Sequence, residues 1–152
     1  MTKWVSVSVV LALIACQQRY ERSAPFKCGS LQVHLAQETP AEGYRPMFVR
    51  DTGETVYMEP QPALTEAHLR KIAVWRGQHD DSTLALMFTE DGTAQLARVT
   101  AANVGKRLAF VIDGRVVTAP VLRTQITEGE AVIESGFTEE EATQLAKVLS
   151  GE

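Results

Sequence analysis

The chain has 152 residues, of which 15 are basic and 19 acidic, giving a formal net charge of −4, with two cysteines and three histidines. An acidic balance with no concentrated basic run argues against a nucleic-acid partner, which needs a basic face. His34, His68 and His79 lie far apart, and none stands within four residues of another histidine or of a cysteine, so no metal-ligand spacing is present.

The first segment is Lys3, an uncharged apolar run from Trp4 to Ala15, and then Cys16. One positive charge before about a dozen apolar residues is the secretory pattern. A helix over that run would span about 18 Å against a hydrocarbon core of about 30 Å, too short for a comfortable membrane-spanning anchor. A buried first element of the fold is the competing reading, but the run is apolar on every side and switches abruptly to Gln17, Gln18 and Arg19. Leu13-Ile14-Ala15-Cys16 resembles the bacterial lipobox, in which a small residue precedes a cysteine whose thiol takes a diacylglyceryl group and whose freed amino group takes a further chain such as palmitate. Several chains matter because one acyl chain holds a protein only reversibly. Residues 1–15 therefore read as a signal peptide and Cys16 as the lipidation site. Gln17, in place of an aspartate, resembles the outer-membrane sorting pattern of Gram-negative lipoproteins. Cleavage would leave 14 basic and 19 acidic residues, a balance of −5, and Cys28 as the one remaining thiol, buried or available for intermolecular pairing.

Residues 16–29 comprise the lipidated cysteine and a polar stretch broken by Pro25 and Gly29, a flexible tether whose last 13 residues would reach about 20 Å by random-coil scaling. Residues 30–152 suit one domain with one core. Leu31 to Leu35 alternates as a half-buried strand. Phe48 to Met58 reads as a hairpin about Asp51-Thr52-Gly53-Glu54, with Gly53 at positive φ. Thr65 can cap a helical turn through Leu69. Ile72–Trp75 and Thr83–Phe88 read as strands joined by the polar turn from Gly77 to Ser82. Gly92 to Asn103 suits a helix with Ala94, Leu96, Ala97, Val99 and Ala101 apolar. Arg107–Ile112 and Arg115–Thr118 flank an Asp113-Gly114 turn as a tight hairpin, the first strand apolar enough to be central and covered on both faces. Pro120 belongs at an edge or bulge. Ala131–Ile133 is a last short strand, and Thr138-Glu139-Glu140-Glu141 opens a final helix through a capping box, with Ala142, Leu145, Ala146 and Leu149 facing inward. The class expected is α+β, a mixed or antiparallel sheet of hairpins packed against two main helices.

The chain lacks the patterns that carry chemistry. There is no Gly-x-Ser-x-Gly elbow, Ser-x-x-Lys pair or phosphate-cradling loop. Asp80-Asp81 and Glu139 to Glu141 read as solvated charge, and Trp75 and Phe88 as core. With no nucleophile, base and oxyanion donor in view, the expectation is a non-enzyme without cofactor or metal.

Thr100-Ala-Ala-Asn-Val-Gly-Lys-Arg-Leu-Ala-Phe-Val-Ile-Asp-Gly-Arg-Val-Val-Thr-Ala-Pro120 resembles a stretch of the head subdomain of the first periplasmic domain of SecD, a protein-export family: a helix ending Asn-Val-Gly-Lys, an apolar strand, an Asp-Gly turn and a strand running into Ala-Pro. Phe137 to Gly151 is similar to that subdomain's closing helix, and the likeness extends over about residues 30–151. It implies a SecD-head fold and a role in contacting unfolded or emerging polypeptide outside the cytoplasm. The family's transmembrane helices and its base subdomain have no counterpart among these residues, so the resemblance does not imply proton-driven translocation.

The functional expectation is a non-catalytic envelope lipoprotein, held on the periplasmic side by lipid on Cys16, at the outer membrane in a Gram-negative host. It would bind exported polypeptides or other envelope proteins, or assist export. The alternatives are a structural or interaction lipoprotein unrelated to export, and an enzyme without a familiar motif. The expected peptide-binding edge is Val116, Val117, Thr118, Ala119, Pro120, Val121, Leu122 and Arg123, where Pro120 would keep the edge from pairing with a second copy.

Overall fold

The computed structural model describes residues 30–76 and 82–151. The elements are β1 (Leu31–Gln37), β2 (Arg45–Phe48), β3 (Thr55–Met58), β4 (Leu64–Thr65), a 3-10 turn (Glu66–His68), β5 (Leu69–Arg76), β6 (Ser82–Phe88), α1 (Glu90–Ala102), β7 (Arg107–Ile112), β8 (Arg115–Thr118), β9 (Glu130–Phe137) and α2 (Glu139–Ser150). The α+β class with hairpin sheets and two helices holds, but the strands divide into two sheets. One has the order β2-β3-β1-β7-β8, with β4 also on β1; the other has the order β5-β6-β9.

The Asp113-Gly114 hairpin forms as its sequence dictates. Asp113 and Gly114 both sit at positive φ, 49° and 76°, the backbone that a two-residue hairpin needs to match strand twist. β7 lies between β1 and β8 and is covered on both sides. Leu108, Phe110 and Ile112 enter the main core, whereas Ala109 and Val111 enter a second, smaller cluster. That second cluster is built from Ala36, Val49, Val56, Met58, Val116 and Ala119 besides, mostly small side chains. Small residues are needed there because the six-stranded sheet curls until its two edges meet: Val49 forms a parallel bridge with Val116, and Arg50 N–H donates to the Val116 carbonyl at 2.8 Å.

β1 is more buried than alternation alone implied. His34 is only 3% exposed, its Nδ1 2.8 Å from the Glu59 carbonyl and its Nε2 3.1 Å from Gln32 Oε1. β3 and β4 follow one another along the same side of β1, interrupted where Pro60 and Pro62 have no N–H to give. The last strand runs on to Phe137, because Ala131, Ile133, Ser135 and Phe137 continue the period of two with Glu134 and Gly136 outside.

α1 starts earlier than Gly92, with Thr89 as its cap accepting from Gly92 N–H at 3.1 Å. Its buried face is Gly92, Leu96 and Thr100; Ala94 and Ala101 are exposed. Thr100 is accommodated by donating to the Leu96 carbonyl at 2.8 Å and accepting from Ile126 N–H at 2.9 Å. α2 has the expected capping box, Thr138 Oγ1 accepting from Glu141 N–H and Thr138 N–H donating to Glu141 Oε2, with Ala142 and Leu145 fully buried.

Candidate functional site

The segment from Val116 to Arg123 ends the order of the curled sheet, yet most of its main chain is engaged. The carbonyls of Val116 and Val117 accept from Arg50 and Asp51 N–H, and Val117 accepts also from Ser135 Oγ at 3.0 Å. The Ala119 carbonyl accepts from Arg107 Nη1 and the Pro120 carbonyl from Leu108 N–H, while Leu122 uses both its N–H and its carbonyl, with Lys106 and Gly105. Val116, Val117, Ala119 and Leu122 are buried, and Pro120, Val121 and Arg123 reach the surface. Closure of the sheet upon itself has engaged the Val116 and Val117 carbonyls with the N–H groups of Arg50 and Asp51. No local pattern in the sequence discloses that closure.

Trp75 proves to be surface, 49% exposed, whereas Phe88 is core. Trp75 lies opposite Thr83, Ala73 opposite Ala85, and Lys71 opposite Met87, so these six share the face of the three-stranded sheet that points away from the main core. Val132, opposite Ala85 on the other side, adds a further exposed apolar side chain to it.

Between the two sheets stands a polar clamp. Arg50, nearly buried, donates from Nη2 to both oxygens of Glu141 at 2.9 and 3.0 Å, and its guanidinium lies 5.1 Å from the centre of the Phe137 ring. The acids at 139–141 are thus not simply solvated: Glu141 holds Arg50, and Glu139 pairs with Arg76 across the surface. On the far side of the curled sheet, Tyr44 donates to Glu59 Oε1 at 2.6 Å, with Lys106 Nζ 3.9 Å from the same oxygen. That hydrogen bond to a carboxylate, with some burial, holds the Tyr44 phenol above its ordinary value.

His68 Nδ1 accepts from Thr65 N–H at 3.1 Å, closing the 3-10 turn, so His34 and His68 both serve the fold. Among the described residues no group of three or more His, Cys, Asp or Glu could hold a metal ion. Two of the depressions are shallow and lined by polar residues. One of about 620 Å³ lies along Glu139, Glu140, Thr143, Gln144 and Lys147, and one of about 180 Å³ at Arg50, Asp51, Ser135 and Gly136. At the second, the Ser135 hydroxyl is committed to the Val117 carbonyl. Among the described residues no helix is long and apolar enough to cross a membrane. Cys16, Cys28, the signal and tether segments, His79 and the Asp80-Asp81 pair lie outside the described residues.

Comparison with known proteins agrees with this geometry. The family model described as SecDF, P1 head subdomain, matches residues 42–152. The protein translocase subunit SecDF of Thermus thermophilus is 39% identical over 127 residues, covering 81% of this chain and 17% of that protein. SecD of Syntrophobacter fumaroxidans is 46% identical over 72 residues, 47% of this chain and 14% of that one. Among solved structures, one of SecDF described as a membrane component that enhances protein export superposes with a TM-score of 0.63 at 30% identity, covering 79% of this chain and 61% of that chain. SecDF in its super-membrane-facing form gives 0.63 at 32% identity over 79% of this chain and 18% of the other. The chain thus spans less than a fifth of these two curated relatives. Element order, the Asp-Gly hairpin and the matched residues all place it: the chain belongs to the SecDF P1 head subdomain family.

Proposed function

We propose that this chain is a non-catalytic head module that contacts exported polypeptide on the extracytoplasmic side of a membrane, where lipid on Cys16 anchors it. The observation that carries the reading is the match to the P1 head over nearly all of the described fold, together with relatives that are protein translocase subunits. An extended chain in transit offers main-chain hydrogen bonds and alternating side chains, and a hairpin-rich domain can meet both without chemistry. Such contacts are small and transient, with dissociation constants on the order of micromolar or weaker. The segment Val116–Arg123 enters this reading through the exposed side chains of Pro120, Val121 and Arg123.

The test is a titration with unfolded secretory peptides, following backbone amide NMR shifts. Clustered shifts that saturate support the proposal. No shifts at millimolar peptide leave the second reading, an envelope-interaction lipoprotein, which the shallowness of these surface depressions favours. The anchor is tested separately by mass spectrometry of the membrane-extracted protein, which should show an acylated N-terminal Cys16. A Cys16→Ser protein that still partitions to membrane would refute it. Outer-membrane placement in a Gram-negative host follows from Gln17 and is read by membrane fractionation.

A further inference from the structure

β5 pairs with β6 on one side, and among the described residues no strand pairs on its other side. Such an edge carries main-chain donors and acceptors on alternate residues that an extended chain can satisfy. Its eight residues are long enough for about four outward-facing positions. The side chains of β5 divide by face. Ile72 and Val74 pack against the main core, where Leu96 of α1 and Leu145 of α2 also sit. Lys71, Ala73 and Trp75 lie on the opposite face, away from the cluster that takes Leu96 of α1 and Ala142 and Leu145 of α2.

Two features define what could dock there. The strand carries Arg70, Lys71 and Arg76 and no acid, and of these Arg76 is already paired with Glu139 of α2. A second copy pairing antiparallel about Lys71 would set that cation against its own equivalent, and one pairing about Ala73 would set Arg70 against Arg76, which opposes self-association in those registers. The same charges favour a partner strand with acidic side chains. Moreover, Lys71 and Trp75 stand four residues apart on one face, about 13 Å at strand spacing, with the small Ala73 between them. A strand added in register would place two of its own side chains, also four apart, beside that cation and that ring.

We infer that β5 is a docking edge for an extended polypeptide segment bearing an acidic side chain and an aromatic or other apolar side chain four residues apart. This rests on the polypeptide-contact reading and deepens it by naming the class of segment taken. The acid pairs with Lys71, the apolar side chain lies on Trp75, and the main chain extends the three-stranded sheet by one strand.

The experiment uses the full chain in detergent micelles and fluorescent ten-residue peptides, with binding read by anisotropy beside an unfolded secretory peptide. One peptide carries Glu and Phe four apart; in a second they are three apart, which sends the two side chains to opposite faces of a strand. The first should bind about tenfold more tightly than the second, and N-methylation of alternate amides should abolish its binding. Lys71→Glu should weaken the Glu peptide about tenfold and strengthen its Lys counterpart, and Trp75→Ala should weaken both. Lys71 and Trp75 are exposed, so these variants keep the fold, which circular dichroism verifies. Equal binding of the two spacings, or indifference to charge reversal at Lys71, would overturn the β5 assignment while leaving the export reading in place. Failure of every peptide to bind, the secretory peptide included, would overturn both.

Discussion

Glu141 accepts from Thr138 N–H through one carboxylate oxygen while both its oxygens accept from Arg50, in the turn that follows β2. The first role is local and was legible as a Thr-x-x-Glu spacing. The second joins residues 91 apart, and nothing in the spacing of either residue signals it. Because the Arg50 side chain is 10% exposed and that of Glu141 is 24% exposed, the pair is partly dried and its loss leaves a poorly solvated charge. Glu141→Ala should therefore cost about 2 kcal/mol, below the 3–5 kcal/mol of a fully buried pair. Glu141→Gln, which keeps hydrogen bonding but not the charge, should cost less, and urea midpoints distinguish the two. Tyr44 gives a pH-dependent counterpart. Its phenol donates to Glu59 only while protonated, and its folded pKa lies above the ordinary 10.0. The bond's contribution is full below pH 10 and is lost as pH rises through the folded value. The stability gap between wild type and Tyr44→Phe should accordingly be constant from pH 7 to 9 and narrow above 10, measured by urea unfolding. A gap that widens there would contradict this assignment.

At the scale of elements, β7 and α2 hold the interior from opposite sides. Val111 and Leu145 are 4% and 0% exposed, and truncation of either to Ala should cost about 2–4 kcal/mol through lost transfer energy and the cavity left behind. Thr138→Ala should cost about 1 kcal/mol by removing the α2 cap. Unchanged denaturant midpoints in all three variants would refute this assignment. Gly92 supplies a sharper test. Replacing a glycine inside a helix by alanine ordinarily stabilises by up to about 1 kcal/mol. Here an added Cβ would lie 2.7 Å from the His68 carbonyl oxygen and 2.9 Å from His68 Cβ, so Gly92→Ala should destabilise instead. These elements differ in how openly the sequence displays them. The Asp-Gly hairpin and the α2 cap are local patterns, and both were readable. The cap of α1 at Thr89 and the run of β9 to Phe137 follow rules equally local, a capping threonine and an alternation through Ser135, although glycine ordinarily weakens a helix, as at Gly92, and a strand, as at Gly136. The exposure of Trp75 could not be read, because an alternating strand shows two faces without saying which one the core takes.

Across the whole molecule, the two sheets are joined by one interior. Leu31, Val33, Leu108 and Phe110 of the curled sheet pack in the same cluster as Leu84, Leu86 and Ile133 of the three-stranded sheet, along with Leu96 and Leu145 from the helices. The bond from Ser135 Oγ to the Val117 carbonyl crosses between the sheets at their margins, and the Arg50–Glu141 pair ties the turn after β2 to α2. The division into two sheets was not legible, because which hairpin joins which depends on contacts distant in the chain. β7 then couples the small inner cluster to the shared core, since its successive residues alternate between them. Neither sheet can come away without exposing the apolar face of the other, so partial unfolding should be too costly to populate. Urea unfolding followed at the amides of Val111 in one sheet and Leu84 in the other should therefore give coincident midpoints. Leu145→Ala should shift both equally, although Leu145 lies on a helix against the three-stranded sheet and Val111 in the curled one. Separate midpoints, or a shift confined to Leu84, would show that the shared cluster does not bind the sheets into one cooperative unit.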